Sequence, residues 1–256
     1  MKRFLVPVVA ATLLLQAEHA LALDYFEAGI GLLGNFGANF IDQPSDQLVE
    51  GKSVRPEYPG FAGATVGIGP MIDLRFFEYV GVELDFLYQS DKGTTDITIT
   101  NLTTKQETVF EIKMGHSAWH IPLLFKGAFL PDQPVQPTVA IGPEFVIPVG
   151  TGKTGEQFEI IGENTTSTQY GAIEATGYTR LAIALGIEAR LPIDSPYISL
   201  RIPFTVRGSF HTGLDDTRAA REDTVLVSGT DQPQSIKYRN EWEYQVSANF
   251  GMALYF

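Results

Sequence analysis

The 256-residue chain contains no cysteine, so disulfides, thiolate metal sites and a lipidated N-terminal cysteine are all excluded. Packing and hydrogen bonds alone must hold it. Basic residues are scarce: 18 Lys and Arg stand against 30 Asp and Glu, a net charge of −12. Nucleic-acid binding, which needs a basic face, is excluded with them. Long apolar runs are missing beyond the N-terminus. The most apolar later segment, LAIALGIEARLPI (181–193), is interrupted by Glu188 and Arg190. No stretch there reaches the roughly 18 apolar residues of a transmembrane helix, and helical periodicity is nearly absent.

The N-terminus is different. Lys2 and Arg3 precede the run FLVPVVAATLLL (4–15), and ALA at 20–22 offers small residues for cleavage. That layout is a secretory signal peptide, with cleavage expected after Ala22 and a mature domain over 23–256. Without Lys2, Arg3 and Glu18 the charged residues fall to 16 basic and 29 acidic, a net charge of −13.

What the remainder has in quantity is period-two alternation. It predicts eight strands at 24–36, 61–76, 80–90, 108–129, 137–149, 176–193, 197–211 and 239–256. Three connections are short: FEY (77–79), PDQPVQ (131–136) and DSP (194–196). Four are long and polar: 37–60, 91–107, 150–175 and 212–238. An even number of antiparallel strands joined alternately by tight turns and long loops is the layout of a transmembrane barrel, with both termini at the short-turn, periplasmic end.

The two faces of these strands differ sharply. One parity comprises 51 positions, of which none is charged, although a chain with 19% charged residues would place about ten there. The other parity carries Glu27, Asp73, Arg75, Glu83, Asp85, Lys126, Glu144, Arg180, Glu188, Arg190, Arg201, Arg207 and Glu243. It also carries many small residues, including Gly29, Gly31, Gly142, Gly186, Ala182 and Ala184. A soluble lipocalin-like barrel would need long solvated side chains on its polar face. Small residues and pairable charges instead suit the narrow lumen of an eight-stranded barrel. The apolar parity is therefore assigned to lipid. The thirteen charges are expected to form a lumen network, either a hydrogen-bonded core or the lining of a thin pore. Aromatics on the lipid parity form two expected girdles: Phe26, Phe76, Phe129 and Phe256 at one end, and Tyr88, Trp119, Phe210 and Trp242 at the other.

The last strand, EWEYQVSANFGMALYF, resembles the carboxy-terminal targeting strand of bacterial outer-membrane β-barrels. WHIPLLFKGAF (119–129) is similar to the IPLL-x-K strand of the small outer-membrane β-barrel domain family, whose members are OmpA-barrel or OmpX-like. The resemblance spans the mature chain. It implies insertion by the barrel assembly machinery, with Trp242, Tyr244, Phe250, Leu254 and Phe256 as the assembly signal.

Chemical motifs are weak. GTGKTG (150–155) lacks the first glycine of a phosphate loop, since Ile147 stands there, and no helix start follows. His116 and Ser117 are adjacent on a strand and so point to opposite faces, and His120 is no better placed to activate Ser117. DDTRAARED (215–223) matches no calcium loop, its arginines offsetting its acids, and Asp42, Asp46 and Glu50 read as a solvated acidic loop with at most loose divalent binding. NLT (101–103) and NTT (164–166) read as polar loop. The expectation is thus an all-β, eight-stranded antiparallel transmembrane β-barrel in the bacterial outer membrane. It is monomeric, free of cofactors and metals, and surrounded by outer-membrane lipid and lipopolysaccharide. Its expected role is structural or interactive, through the loops and without catalysis. A narrow channel for small solutes and a barrel-rim lipid hydrolase are the alternatives.

Overall fold

The computed structural model describes residues 26–42, 54–57, 59–149, 156–162, 165–173, 177–193, 198–212, 220–226, 233–239 and 241–256. The expected signal peptide, the DSP turn, GTGKTG, Asp46 and Glu50 lie outside them. The described residues form fourteen strands: β1 (Phe26–Ile41), β2 (Val54–Glu57), β3 (Phe61–Phe76), β4 (Val80–Asp85), β5 (Leu87–Asn101), β6 (Glu107–Ala128), β7 (Val135–Val149), β8 (Glu156–Gly162), β9 (Thr165–Ile173), β10 (Tyr178–Leu191), β11 (Ser199–His211), β12 (Ala220–Leu226), β13 (Pro233–Arg239) and β14 (Tyr244–Tyr255).

Eight staves close on themselves, every pairing antiparallel. β1 pairs β3, β3 pairs β4 and β5, and both of these pair β6. The ring continues through β7, β10, β11 and β14, and β14 returns to β1 from Gly29↔Tyr255 to Phe40↔Tyr244. β4 and β5 are one stave interrupted at Phe86. The interruption has a local cause: Pro70 stands opposite Phe86 and has no N–H to give, although its carbonyl still accepts the Phe86 N–H at 2.9 Å. The ladders also skip pairs beside Pro143 and Pro203. The wall therefore tolerates prolines by short gaps of two residue pairs in one ladder.

The long connections contain more strand than the sequence suggested. β1 runs five residues past the expected end, and 91–107 forms no loop. There β5 and β6 continue as one hairpin turned at residues 102–106. β2 adds to β5, β8 adds to β6 and β9 to β8, and β12 pairs β13. At the opposite end the turns are tight. Phe77 (φ 55°) and Glu78 (φ 61°) in the β3–β4 turn, and Leu130 (φ 57°) after β6, hold left-handed backbone that is costly for bulky side chains.

The seam between β1 and β14 is drawn close by glycine. A side chain on Gly31 would begin 2.4 Å from the Met252 carbonyl oxygen. Gly31→Val is expected to lower the unfolding free energy by about 1–3 kcal/mol, the usual range for overpacking. Urea titration of the refolded barrel measures this, and unchanged stability would show that the seam has slack.

Candidate functional site

Alternation along the staves puts apolar side chains outside. Leu32, Phe36, Val66, Phe125, Ile147, Leu185, Phe204, Phe250 and Leu254 are all exposed, and the outer surface over the staves is a continuous apolar belt. A surface of this kind is stable only against lipid. Aromatics bound it. Phe26 and Phe76 pack 5.3 Å apart at the short-turn end; Tyr88 meets Trp119 at 5.4 Å and Phe210 meets Tyr244 at 6.1 Å at the other. Trp242 does not belong to this outer girdle, contrary to its parity. It precedes β14 on a segment that is not strand, so alternation does not govern it, and its indole is turned inward with no exposed surface. Tyr244 takes the girdle position instead. Phe250, Leu254 and Phe256 face outward.

Inside, the charges form two groups. The lower one, near the short turns, is centred on Lys126. Its Nζ lies 2.8 Å from Asp73, 2.7 Å from Glu83 and 3.4 Å from Glu188. Arg75 binds Asp73 at 3.1 Å, pairs with Glu188, and donates to Gln136 at 3.3 Å. Tyr255 donates its hydroxyl to Asp73 at 2.6 Å, while Arg201 stacks 4.1 Å over its ring and reaches Glu188 (3.2 Å) and Glu27. Arg190 stands 3.9 Å from Glu27 at the rim. Arg207 joins Asp85 at 2.6 Å and Glu83 at 3.6 Å. Five acids and five bases thus meet here, a balance that low-dielectric burial demands.

Buried apolar side chains share the lumen with these ions, Leu124 pairing with Glu83 and Ala140 with Lys126 across the staves. Leu33, Met71, Leu87 and Ala253 cluster on one side, and Leu124, Ala140, Ala182 and Ala184 on the other. The upper group follows. Arg180 binds Glu144 at 2.7 Å and also Gln245. His120 places Nδ1 2.8 Å from Glu144 and Nε2 3.1 Å from Asp91. Asn39 donates to Asp91 at 2.8 Å, and His116 lies 3.5 Å from the same carboxylate. Gln245 and Thr65 both donate to Gln89. Of the thirteen expected lumen residues, ten therefore meet in the lower group and Glu144 and Arg180 in the upper. Glu243 sits apart at the rim, accepting the Asp42 N–H at 3.1 Å.

Asp91, His116, His120, Gln89 and Gln245 were not among the expected network. Asp91 fell in a presumed loop, but it lies two residues beyond Gln89 and so shares its face. Ser117 occupies the opposite face from His116 and His120, both fully enclosed. Among the described residues no three His, Asp or Glu side chains are placed to hold a metal ion.

Trp242 closes the group. Its Nε1 donates to His116 Nδ1 at 3.3 Å with the rings 24° from parallel. Gly93 makes room for it, since a Cβ there would stand 2.5 Å from the indole. Beyond this point polarity inverts on the same staves. Ile97, Phe110, Ile112 and Met114 turn inward and are buried, with Ile41 and Phe61 beside them on β1 and β3. Lys92, Thr94 and Asp96 face out, as does the Glu111–Lys113 pair.

No family model matches the chain, and no curated protein does. Solved structures do, at low identity. The outer membrane protein OprG from Pseudomonas aeruginosa is similar at 10% identity and TM-score 0.40, covering 91% of this chain and 96% of that one. Neisserial surface protein A gives 10% and 0.32, with 90% and 95% covered. The outer membrane protease OmpT from Escherichia coli gives 7% and 0.32, with 93% and 99% covered.

Lys126→Met leaves three buried carboxylates without their shared cation and is expected to cost about 3–5 kcal/mol in equilibrium unfolding; a loss under about 1 kcal/mol would mean the ammonium is no hub. Gly93→Val, in a Trp119→Phe background, is expected to displace the Trp242 indole. Its emission should then shift to the red and become quenchable by acrylamide, and an unmoved spectrum would contradict the packing.

Proposed function

We propose that the protein is an integral, monomeric barrel of the bacterial outer membrane with a structural or interaction role and no catalytic site. In this reading the short turns face the periplasm. The strands beyond the upper girdle stand above the membrane among the lipopolysaccharide, and present the contact surface. Assembly proceeds through the barrel assembly machinery, with Trp242, Tyr244, Phe250, Leu254 and Phe256 in the signal strand. The observation that carries the reading is the contrast across one wall: an apolar exterior without charge, and an interior whose ions are neutralised by one another. A catalytic histidine would need access to substrate, and His116 and His120 have none.

The same interior argues for a filled lumen over a channel. Arg75, Lys126, Glu188, Arg180, His120 and Trp242 occupy its cross-section in succession and are all buried. Purified protein should run faster unboiled than boiled in detergent gels, fractionate with outer membranes, and give no steps of conductance in planar bilayers. Discrete conductance would establish the narrow-channel alternative, and a soluble, heat-unmodifiable protein would refute the membrane reading.

A further inference from the structure

The short-turn end exposes more apolar surface than the belt and its girdle require. Phe77, Tyr79 and Leu130 are 59%, 55% and 60% exposed, and all lie past the girdle residues Phe76 and Phe129. The two turns that carry them form one patch. The staves they join are neighbours, Val80 pairing with Gly127, and the Tyr79 carbonyl accepts the Ala128 N–H at 2.7 Å.

The backbone of these turns is as unusual as their side chains. Phe77, Glu78 and Leu130 are three of the four left-handed non-glycine residues among the described residues. Glycine or asparagine would fill such positions without strain and would suit water. Bulky apolar residues, Phe77 and Leu130, instead hold two of them at the edge of the apolar belt. The charges added by the turns are acidic, Glu78 and Asp132, both exposed. The bases toward this end, Arg75, Lys126, Arg190 and Arg201, are all committed to lumen or rim carboxylates.

We infer that the β3–β4 and β6–β7 turns are an interfacial anchor. They seat Phe77, Tyr79 and Leu130 at the acyl–headgroup boundary of the inner leaflet. This inference rests on the membrane reading above and adds to it a lipid preference. Aromatic and aliphatic groups partition to that boundary. Carboxylates beside them are repelled by anionic headgroups and attracted by ammonium groups. The anchor therefore fits zwitterionic lipids whose headgroups carry an ammonium, such as phosphoethanolamine lipids.

The absence of cysteine permits single nitroxide labels at Phe77→Cys, Leu130→Cys, Phe250→Cys and Thr94→Cys, each checked for heat-modifiable folding. The labelled barrels are refolded in phosphatidylcholine–phosphatidylethanolamine vesicles, or in vesicles where phosphatidylglycerol replaces the ethanolamine lipid. Relaxation by oxygen is compared with relaxation by an aqueous nickel chelate. Positions 77 and 130 are expected to favour oxygen, as position 250 does, and to shift toward the aqueous behaviour of position 94 in the anionic vesicles. Aqueous behaviour of 77 and 130 in both compositions, with 250 in lipid, would overturn the anchor alone. Identical accessibility in the two compositions would overturn its headgroup preference. Aqueous behaviour of position 250 would instead sink the membrane reading, so the failures are distinct.

Discussion

The pairing of β1 with β14 is the constraint from which the rest of the molecule follows. Once the first and last staves join, the sheet has no edge over the apolar belt, and backbone groups there bond within the wall. Closure at eight staves also fixes the interior, which is wide enough for side chains and little else. Every inward position must then be small, or must interdigitate with what stands opposite. Tyr255 fills the lumen only because Gly29, its partner across the seam, has no side chain: a Cβ there would come within 2.6 Å of the ring.

That confinement dictates the ion pairing. A carboxylate held among low-dielectric walls is expensive unless a cation and hydrogen bonds compensate it, and the cost of leaving one partner alone exceeds the gain from making the pair. The lumen answers with shared ions. Asp73 is bound at once by Lys126, Arg75 and the Tyr255 hydroxyl, and Glu188 by Lys126, Arg75 and Arg201. These groups come from β3, β6, β10, β11 and β14, so the network ties staves that are not neighbours in the ring. The apolar clusters around Met71 and Leu124 stand in register with Asp85 and Glu83, so apolar packing and ion pairing are interleaved in the same lumen.

The eight staves were legible in the sequence because a single rule governs every position of a lipid-facing wall. Exclusion of charge from one parity is a strong pattern even when each strand is short. The rule stops at the upper girdle, and there the reading failed. Beyond Trp119 and Tyr88 the inward face becomes Met114, Ile112, Phe110 and Ile97, and the outward face Lys113 and Glu111. A search for polar-in, apolar-out strands keeps 108–118 only as the start of the next strand and sees its partner segment, 91–101, as loop, and Asp91 goes with it. Trp242 fails for the opposite reason, since parity was extended through a residue that has no strand to impose it. His116 and Gly93, which receive the indole, give no sign of that role in the sequence.

The inversion also bears on how the outer end works. Flexible loops pay conformational entropy when a partner orders them, and that loss subtracts directly from affinity. β5 and β6 do not end at the girdle, and they carry their hydrogen-bond ladder to Thr100↔Glu107. Their inner face is packed on Ile97, Phe110 and Ile112, and Trp242 is wedged between this layer and the polar lumen. The outward side chains of Lys92, Thr94, Asp96, Glu111 and Lys113 are thus mounted on a backbone already ordered before any encounter. A partner meeting this surface would find fixed charges of both signs at fixed spacing, with ordering cost confined to the side chains. The inverted segment gives the barrel a rigid outer face, built by the ordinary water-soluble rule on top of staves that obey the lipid one.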